Sequence, residues 1–384
     1  MKVLHMITGL GVGGAELQLR SILQYTRHDC DVVTLYNPGP VADMIRADGR
    51  PVRSLGMTSN TQASALFELR RLIAHGRYDV VHTHLYRSQI YGRPAAWLAG
   101  VPVIVSTEHS IGETHLERRK MTAGVQALYR ATELMSDMTI AVSATVRDRL
   151  IKWGLRPRRV TVIPNGVDLA RVAFNPTARQ QVRAEFELSP SDRVIGVLGR
   201  LDANKQFDMV IEAAAPLLGG GRLLIVGDGG ERGHLELLAR QRGVANRVIF
   251  AGERHDVAAM LSAMDLFVAS SRQETFGLSV LEALANGAPV LYTTCPALEG
   301  LEVARATKVP SSADGLREAM AAELAKGRRD RAAEPAVEKE YGVQAVTARI
   351  DDLYEQLADR RAGRAVLRAR RAPRYAASRP SQRR

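Results

Sequence analysis

Residues 193–201 read "RVIGVLGRL", a short apolar and β-branched run that ends in a glycine turn. This combination is typical of a buried parallel strand whose carboxyl end faces a ligand. A second example lies near the amino terminus, where "KVLHMIT" at 2–8 runs into "GLGVGGAE" at 9–16. Because a strand followed by a glycine turn occurs in each half of the chain, the sequence predicts two successive α/β domains.

Outward from these two points, strand-like runs alternate with amphipathic segments of helical period. In the first half we predict strands at 2–7, 31–36, 80–83, 103–107, 138–142 and 160–163, and helices at 15–25, 64–75, 116–135 and 144–152. In the second half we predict strands within 193–201, 222–230, 247–253, 265–271 and 289–294, separated by helices. The expected fold is α/β, with two Rossmann-like domains facing across a cleft and ligands bound beyond the carboxyl ends of the strands.

A chain of 384 residues is longer than one ordinary core, and the breakers in "VIPNGVDLARVAFNP" at 162–176 mark a crossing between domains. We therefore predict a first domain at 1–165 and a second at 166–340. Residues 341–359 are predicted to form an amphipathic helix that packs back toward the first domain. Residues 360–384 are predicted to be a disordered, arginine-rich tail.

The net charge of +12 is concentrated in that tail. The chain has 53 Lys and Arg against 41 Asp and Glu, and residues 360–384 hold ten arginines and no Asp, Glu or Lys. Without these ten, 43 basic residues stand against 41 acidic ones, a charge of +2. A nearly neutral body argues against a nucleic-acid-binding protein. The tail is either a solvated extension or an electrostatic anchor to anionic lipid or another polyanion.

The cellular compartment follows from what the sequence lacks. Its two cysteines, Cys30 and Cys295, have neither zinc-site spacing nor the number that a disulfide framework needs. No segment resembles a signal peptide or reaches the roughly 18 apolar residues of a membrane span. We therefore expect a cytoplasmic protein, either fully dissolved or in peripheral contact with the inner face of the membrane through its tail.

The stretch "MDLFVASSRQETFGLSVLEALANGAPVL", residues 264–291, places two carboxylates around the start of a helix. Glu274 lies in the loop after a strand, and Glu282 lies inside the helix that follows. Carboxylates accept hydrogen bonds from paired sugar hydroxyls, and the free N–H groups of Phe276, Gly277 and Leu278 at the helix start favour an anion. One short element could thus hold a phosphate and sugar hydroxyls. The alternative is a capping Glu274 and a solvated Glu282.

This element resembles the E-x7-E signature of retaining glycosyltransferases with the GT-B fold, in particular family 4. Other stretches are similar to motifs of the same family and stand in the same order, namely "TEHS" at 107–110, "VIPNGVD" at 162–168, "GRLDANKQFDMVIEAA" at 199–214, "LLIVGDGGERGHLE" at 223–236 and "VIFAGERHDV" at 248–257. The resemblance covers residues 1–358. It implies transfer of a sugar from a nucleoside-diphosphate sugar, with UDP as the expected nucleotide, to an acceptor hydroxyl with retention of anomeric configuration. Cell-surface polysaccharide, a glycolipid or a glycosylated metabolite would be the product.

The resemblance also implies roles for residues of the second domain. Arg200 and Lys205 would neutralise the donor diphosphate, which develops negative charge as the sugar departs. Glu282 would bind the ribose hydroxyls. Glu274 would contact the donor sugar, assisted by the backbone at Phe276, Gly277 and Leu278. This chain departs from the family pattern at Gln206, where glycine is common.

In the first domain, the resemblance implies that His109 lines the reaction centre. Gly13 and Gly14, in the amino-terminal glycine turn, would allow the phosphate and sugar end of the donor to approach the backbone. His82 and His84 are expected at a strand end facing the cleft. No cofactor beyond the donor sugar nucleotide and no metal site is predicted, because neither a cysteine nor a cluster of carboxylates accompanies these histidines.

Two other activities remain open from the sequence. Gly9, Gly11 and Gly14 spell G-x-G-x-x-G, which is also the fingerprint of NAD(P)-dependent oxidoreductases. That class needs an acidic residue at the end of the second strand, where this chain has Tyr36 and Asn37. A sugar-nucleotide epimerase can share the two-domain architecture and is the second alternative.

Overall fold

Two parallel β-sheets, one in each half of the chain, form the framework of this computed structural model. The structure describes residues 1–59, 61–112, 115–116 and 119–371, and for 115, 116, 119, 120 and 364–371 it describes the backbone alone. The predicted α/β architecture, with two Rossmann-like sheets flanked by helices, is confirmed.

The first sheet has seven strands in the order β3-β2-β1-β4-β5-β8-β9, all parallel. Its strands, with a separate antiparallel pair β6 and β7, are β1 (Lys2–Ile7), β2 (Asp29–Thr34), β3 (Val52–Ser54), β4 (Val80–His84), β5 (Val103–Glu108), β6 (His115–Leu116), β7 (Arg119–Lys120), β8 (Met138–Ala141) and β9 (Val160–Val162). Its helices are α1 (Gly14–Tyr25), α2 (Gly39–Ala47), α3 (Ser64–Gly76), α4 (Tyr86–Leu98), α5 (Ala123–Glu133) and α6 (Ala144–Lys152). Chain order reverses between β1 and β4, which places a ligand-binding crevice at their carboxyl ends.

The second sheet has six parallel strands in the order β12-β11-β10-β13-β14-β15. They are β10 (Arg193–Leu198), β11 (Gly221–Val226), β12 (Val248–Gly252), β13 (Leu266–Ala269), β14 (Val290–Tyr292) and β15 (Ala306–Lys308). The helices around this sheet are α7 (Leu169–Val172), α8 (Pro176–Glu185), α9 (Phe207–Ala214), α10 (Arg232–Gln241), α11 (Val257–Ala263), α12 (Leu278–Ala285), α13 (Ala313–Ala325) and α14 (Pro335–Tyr341), and they are followed in the chain by α15 (Val343–Arg371). Here the order reverses between β10 and β13, the two strands that precede the predicted donor-binding residues.

The predicted helix at 116–135 is shorter in the structure and begins only at Ala123. Thr122 is its N-cap, because the hydroxyl of Thr122 accepts a hydrogen bond from the N–H of Val125 at 3.3 Å. Residues before this cap form β6 and β7. Strands β3 and β15, which the sequence analysis did not predict, lie at sheet edges and have only three residues each.

The final helix, α15, packs on the first sheet although the second domain precedes it in the chain. Its apolar residues Val346, Ile350, Leu353 and Leu357 belong to the same buried cluster as β1 and β4. The helix runs on to Arg371, beyond residue 359, because alanine and arginine are good helix formers. The rest of the predicted disordered tail, residues 372–384, lies outside the described residues.

The chain passes between the two domains at two neighbouring places. The N–H of Val167 donates to the carbonyl of Tyr341 at 2.7 Å, and the N–H of Val343 donates to the carbonyl of Val167 at 3.0 Å. Gly166 is required here, because a Cβ atom at this position would lie 2.7 Å from the Cα atom of Val343. The two crossings therefore form one hydrogen-bonded connection.

None of the described helices combines the length and the apolar composition that crossing a membrane would require.

Candidate active site

The cationic loop after β10 and the acidic loop after β13 are joined by their backbones. The carbonyl of Asn204 accepts from the N–H of Arg272 at 2.8 Å, and its side chain bonds to both the N–H and the carbonyl of Gln273. Ser270 donates its hydroxyl to the carbonyl of Lys205 at 2.6 Å. These bonds fix the position of Lys205 relative to the loop that carries Glu274.

Lys205 and Glu274, which the sequence analysis assigned to one site, are in direct contact. Lys205 Nζ lies 2.6 Å from Glu274 Oε1, and the hydroxyl of Ser271 donates to the same oxygen at 2.7 Å. Both charged side chains are only about one-fifth exposed. The pair is therefore a sheltered ion pair at the switch point of the second sheet, where either partner can exchange the other for a ligand.

Arg200 and Gln206 flank this pair with different geometries. Arg200 is about half exposed, and its nearest carboxylate oxygen, on Asp202, is 3.9 Å away. It is therefore available to an anion in the cleft.

Gln206 has a φ of +50° at the start of α9, a conformation that costs little for glycine and more for other residues. Gln206, the residue that departs from the family pattern, therefore has a left-handed backbone conformation.

Helix α12 begins at the backbone groups predicted to bind the donor. Gly277 precedes its first residue, Leu278, and has a φ of +102°. A Cβ atom on Gly277 would also lie 2.4 Å from Cys295 Sγ, so both backbone and packing require glycine. Phe276 is buried beside it. The free N–H groups of this first turn favour negative charge near Glu274.

Glu282 lies in the same helix and is 8% exposed. Burial raises the pKa of its carboxyl group to about 7, and the neighbouring Arg171 opposes this rise. The solvated alternative is wrong for this residue, because its neighbours on the helix are buried and leave it little contact with water. A carboxyl group in this setting can exchange hydrogen bonds with ligand hydroxyls, because it is little solvated by water.

The amino-terminal glycine turn faces α12 from the first domain. Gly13 is the N-cap of α1, and a Cβ atom on Gly14 would lie 3.6 Å from Leu278 Cδ2. The structure also shows a residue that the sequence analysis did not consider, Glu16. Its carboxylate lies over Gly13, where Oε2 would be 2.5 Å from a Cβ atom. A glutamate at the third position of a helix is a common capping residue, and this spacing was the available signal.

The two halves of the site are held together by a direct hydrogen bond. Ser143, the N-cap of α6, donates its hydroxyl to the carbonyl of Thr275 at 2.6 Å. Thr275 lies directly between Glu274 and the start of α12. A buried apolar cluster continues across the same boundary and contains Ile111 and Tyr129 together with Phe276. The loop that carries Glu274 and the start of α12 therefore lie against the first domain, close to the glycine turn.

Two family matches cover most of the chain. Residues 12–171 match Glycosyltransferase Family 4, and residues 192–326 match Glycosyl transferases group 1. The chain belongs to this family of glycosyltransferases. Neither family is one of NAD(P)-dependent oxidoreductases, and the missing acidic residue after β2 agrees with that result.

Relatives of this family 4 protein are named for different acceptors. The UDP-Gal:alpha-D-GlcNAc-diphosphoundecaprenol alpha-1,3-galactosyltransferase of Escherichia coli is 28% identical over 298 residues, which is 74% of this chain and 76% of that enzyme. The D-inositol 3-phosphate glycosyltransferase of Mycobacterium marinum is 32% identical over 260 residues, 62% of this chain and 52% of that enzyme. The fold is shared with the Anabaena protein HepE, solved in complex with UDP-glucose. That comparison has a TM-score of 0.80 at 22% identity and covers 93% of this chain and 100% of HepE.

In this family 4 chain, His109 follows β5 and is 7% exposed. Burial lowers its pKa to about 4, and the neighbouring Asn165 opposes the shift. His84, at the end of β4, places Nδ1 3.3 Å from His109 Nε2, and His5 Nδ1 lies 3.0 Å from His84 Nε2. His82 and His84 are fully buried, so they do not face an open cleft as expected. His5 was missed, although its register opposite His82 follows from pairing β1 with β4.

The buried histidines His5, His82 and His84 are also close enough to one another to be considered as metal ligands. Both ring nitrogens of His82 are already engaged, with Nδ1 2.5 Å from the Tyr354 hydroxyl and Nε2 2.7 Å from the Thr107 hydroxyl. A metal ion would have to displace one of these partners. The geometry therefore favours hydrogen bonding over metal ligation in this group.

Proposed function

We propose that this protein transfers a sugar from a UDP-sugar to an acceptor hydroxyl, with retention of anomeric configuration. The observation that carries the proposal is the contact between Lys205 and Glu274 beside the start of α12, opposite the Gly14 turn. Fixed cations and a helix N-terminus suit the diphosphate, and carboxyl groups suit the sugar hydroxyls. HepE, which has the same fold, binds UDP-glucose, and this supports UDP as the nucleotide.

The residues then take the following roles. Arg200 and Lys205 hold the diphosphate and stabilise the charge that develops on it, with Glu274 released from Lys205 to contact the sugar. Glu282 binds the ribose, and the backbone of Phe276, Gly277 and Leu278 meets the donor at the helix start. From the first domain, His109, Gly13 and Gly14 line the side of the cleft where the sugar is transferred. No protein nucleophile and no metal ion or further cofactor is assigned to the reaction.

The acceptor is proposed to be a growing cell-surface polysaccharide, a glycolipid or a metabolite. The Escherichia coli relative acts on a diphosphoundecaprenol-linked sugar and the Mycobacterium marinum relative on D-inositol 3-phosphate, so both lipid-linked and small acceptors occur among relatives. Its place of action is proposed to be the cytoplasm, because both cysteines are buried and free. The arginine-rich tail is proposed to contact the anionic inner face of the membrane.

Release of nucleoside diphosphate tests the proposal. The full-length protein is incubated with UDP-, GDP- and ADP-sugars, with and without acceptor hydroxyl compounds, and free diphosphate is measured. We expect UDP release from a UDP-sugar. Lys205→Ala should lower its rate by at least about 100-fold, because an electrostatic contact to the leaving group is lost. The anomeric configuration of the product, read by NMR, tests retention.

The matched control is Lys326→Ala. Lys326 forms an ion pair of the same length, 2.6 Å from Glu323, directly after α13, and it is not one of the predicted site residues. Its loss should leave the rate unchanged. An NADH absorbance change without diphosphate release, or epimerised sugar nucleotide as the product, would contradict the proposal and support one of the two alternatives.

A further inference from the structure

His5, His84 and His109 form a row of three buried imidazoles that leads from the interior of the first sheet to the cleft. His5 Nδ1 lies 3.0 Å from His84 Nε2, and His84 Nδ1 lies 3.3 Å from His109 Nε2. Their exposed fractions are 1%, 0% and 7% in that order. Each of the two links joins two ring nitrogens, so each needs one N–H group and one lone pair.

The three rings are neutral near pH 7. Burial lowers the pKa of His5 to about 3 and that of His109 to about 4, and it lowers the pKa of His84 well below its usual value. Each ring then carries a single N–H group. His84 can therefore donate to only one of its two neighbours, and the row has only two arrangements in which both links are hydrogen bonds.

In the first arrangement, His5 Nδ1–H donates to His84, and His84 Nδ1–H donates to His109. His109 then carries its hydrogen on Nδ1. In the second arrangement both bonds reverse, so that His109 donates from Nε2 and His5 carries its hydrogen on Nε2. The two arrangements differ in what stands at the ends of the row.

Both ends lack a partner within the part of the chain that the structure describes. His5 Nε2 and His109 Nδ1 are buried without a hydrogen bond, and Asn165 is the polar neighbour of His109 that opposes the lowering of its pKa. Each arrangement leaves one N–H group unpaired, on His109 Nδ1 in the first and on His5 Nε2 in the second, and a buried donor without an acceptor is costly. His109 is the more exposed of the two rings, at 7% against 1%, and lies at the cleft end of the row, where a ligand oxygen can accept its N–H group. The first arrangement is therefore favoured.

We propose that His5 and His84 are positioning residues that hold His109 in its Nδ1–H tautomer, so that His109 donates a hydrogen bond to an oxygen atom of the sugar bound in the cleft. This inference rests on the proposed function, which places the transferred sugar beside His109. It adds a direction to that contact, because His109 is then a donor and its ligand atom an acceptor. His82, whose two nitrogens bond to Tyr354 and Thr107, is outside the row.

The tautomer can be measured directly, without substrate. In the full-length protein labelled with 15N-histidine, the chemical shifts of the two ring nitrogens distinguish N–H from a bare nitrogen. We expect His109 to show Nδ1–H and a bare Nε2 in the unliganded protein between pH 6 and 8. His84→Phe should leave His109 as a mixture of both tautomers, because the link to Nε2 is lost. His82→Phe is the matched control and should leave the tautomer unchanged.

A second variant guards against misfolding of the first. His5→Phe keeps the link between His84 and His109 but removes the donor at the far end, two rings away, and should also yield a mixed tautomer. Both variants should lower kcat/KM for UDP release up to about tenfold, as expected for one neutral hydrogen bond. His82→Phe should not.

Two results would overturn the inference, namely a wild-type His109 with a bare Nδ1, or an unchanged tautomer in both His84→Phe and His5→Phe. A failure of the proposed function looks different. In that case no nucleoside-diphosphate sugar is cleaved by the wild-type protein, while the expected tautomers in wild type and variants still support the arrangement of the row.

Discussion

At the scale of single residues, Glu282 combines a charged side chain with surroundings that favour its neutral form. It is 8% exposed, and burial raises its pKa from the usual 4.5 to about 7. A carboxyl group whose pKa is raised by folding stabilises the folded state fully below its unfolded pKa. That contribution is lost as the pH rises through the folded pKa. The relevant window here is pH 4.5 to 7.

The first prediction at this scale concerns Glu282→Gln. Between pH 5 and pH 8 the wild-type protein should lose about 2 kcal/mol of unfolding free energy relative to this variant, because the variant cannot ionise. Urea denaturation of both proteins at the two pH values measures the difference. Glu299→Gln, at an exposed carboxylate, is the control and should follow the wild type. An identical pH dependence for Glu282→Gln and wild type would show that Glu282 is ionised in the folded state.

Individual site residues differ in how far the sequence predicts their surroundings. Lys205 and Glu274 each follow a strand, and the carboxyl ends of neighbouring parallel strands meet at one edge of a sheet, so the sequence was sufficient to predict that they lie close together. The sequence was not sufficient to predict the pairing of His84 with His109, because this pairing depends on which strands are neighbours and on the ring rotamers. For Glu282, the sequence left open whether the side chain is solvated or binds a ligand, and its burial depends on how α12 packs.

At the scale of elements, a buried carboxylate fixes α15 to the first domain. Asp351 is 2% exposed and accepts hydrogen bonds from the Thr26 hydroxyl at 2.8 Å and the Arg27 N–H at 3.0 Å. Both partners lie directly after α1. Helix α15 is thus fixed to α1, the helix that carries the glycine turn.

Replacing Asp351 by alanine should therefore be costly. Asp351→Ala leaves a buried hydroxyl and a backbone N–H without their acceptor, and we expect a loss of about 2–3 kcal/mol in the free energy of unfolding. Asp352→Ala is the control. Asp352 lies next in the chain, is 57% exposed and forms only a surface ion pair with Arg27, so its loss should matter little. Equal effects of the two substitutions in chemical denaturation would contradict this role of Asp351.

The boundaries of elements were predictable where caps and apolar runs coincide. The helix at 144–152 matches α6, whose N-cap Ser143 is visible in the sequence. The helix predicted at 116–135 was too long, because the prediction included the polar stretch before Thr122, where the structure has the N-cap of α5. The helix predicted at 341–359 begins at Val343 instead of 341, because Gly342 pairs with Val167, a long-range contact that no local pattern encodes.

At the scale of the whole molecule, charge is distributed unevenly. Arg158, Arg159, Arg360 and Arg361 line a cavity of about 790 Å³ whose other walls are largely apolar. Trp97, on the same cavity, is 58% exposed. This cavity lies beside the amino ends of β5 and β8, and the arginine-rich segment of the sequence begins there.

We therefore expect the tail to contribute to membrane contact. Substituting Arg374, Arg379, Arg383 and Arg384 by glutamine should weaken co-sedimentation with vesicles of phosphatidylcholine and phosphatidylglycerol, since each arginine near an anionic surface contributes about 1 kcal/mol. Vesicles of phosphatidylcholine alone serve as the control and should bind neither protein. Equal binding of wild type and variant to anionic vesicles would identify the tail as a solvated extension.

The return of α15 to the first sheet has a consequence for biosynthesis. A ribosome releases residues 1–165 long before Val346, Ile350, Leu353 and Leu357 leave its exit tunnel, yet these side chains cover one face of the first sheet. Until they arrive, the apolar residues of that face lack part of their cover, while the second sheet already has all its strands and helices. The domain that is synthesised first is therefore completed last, and a nascent chain that stops short of α15 presents an uncovered apolar surface to chaperones and proteases.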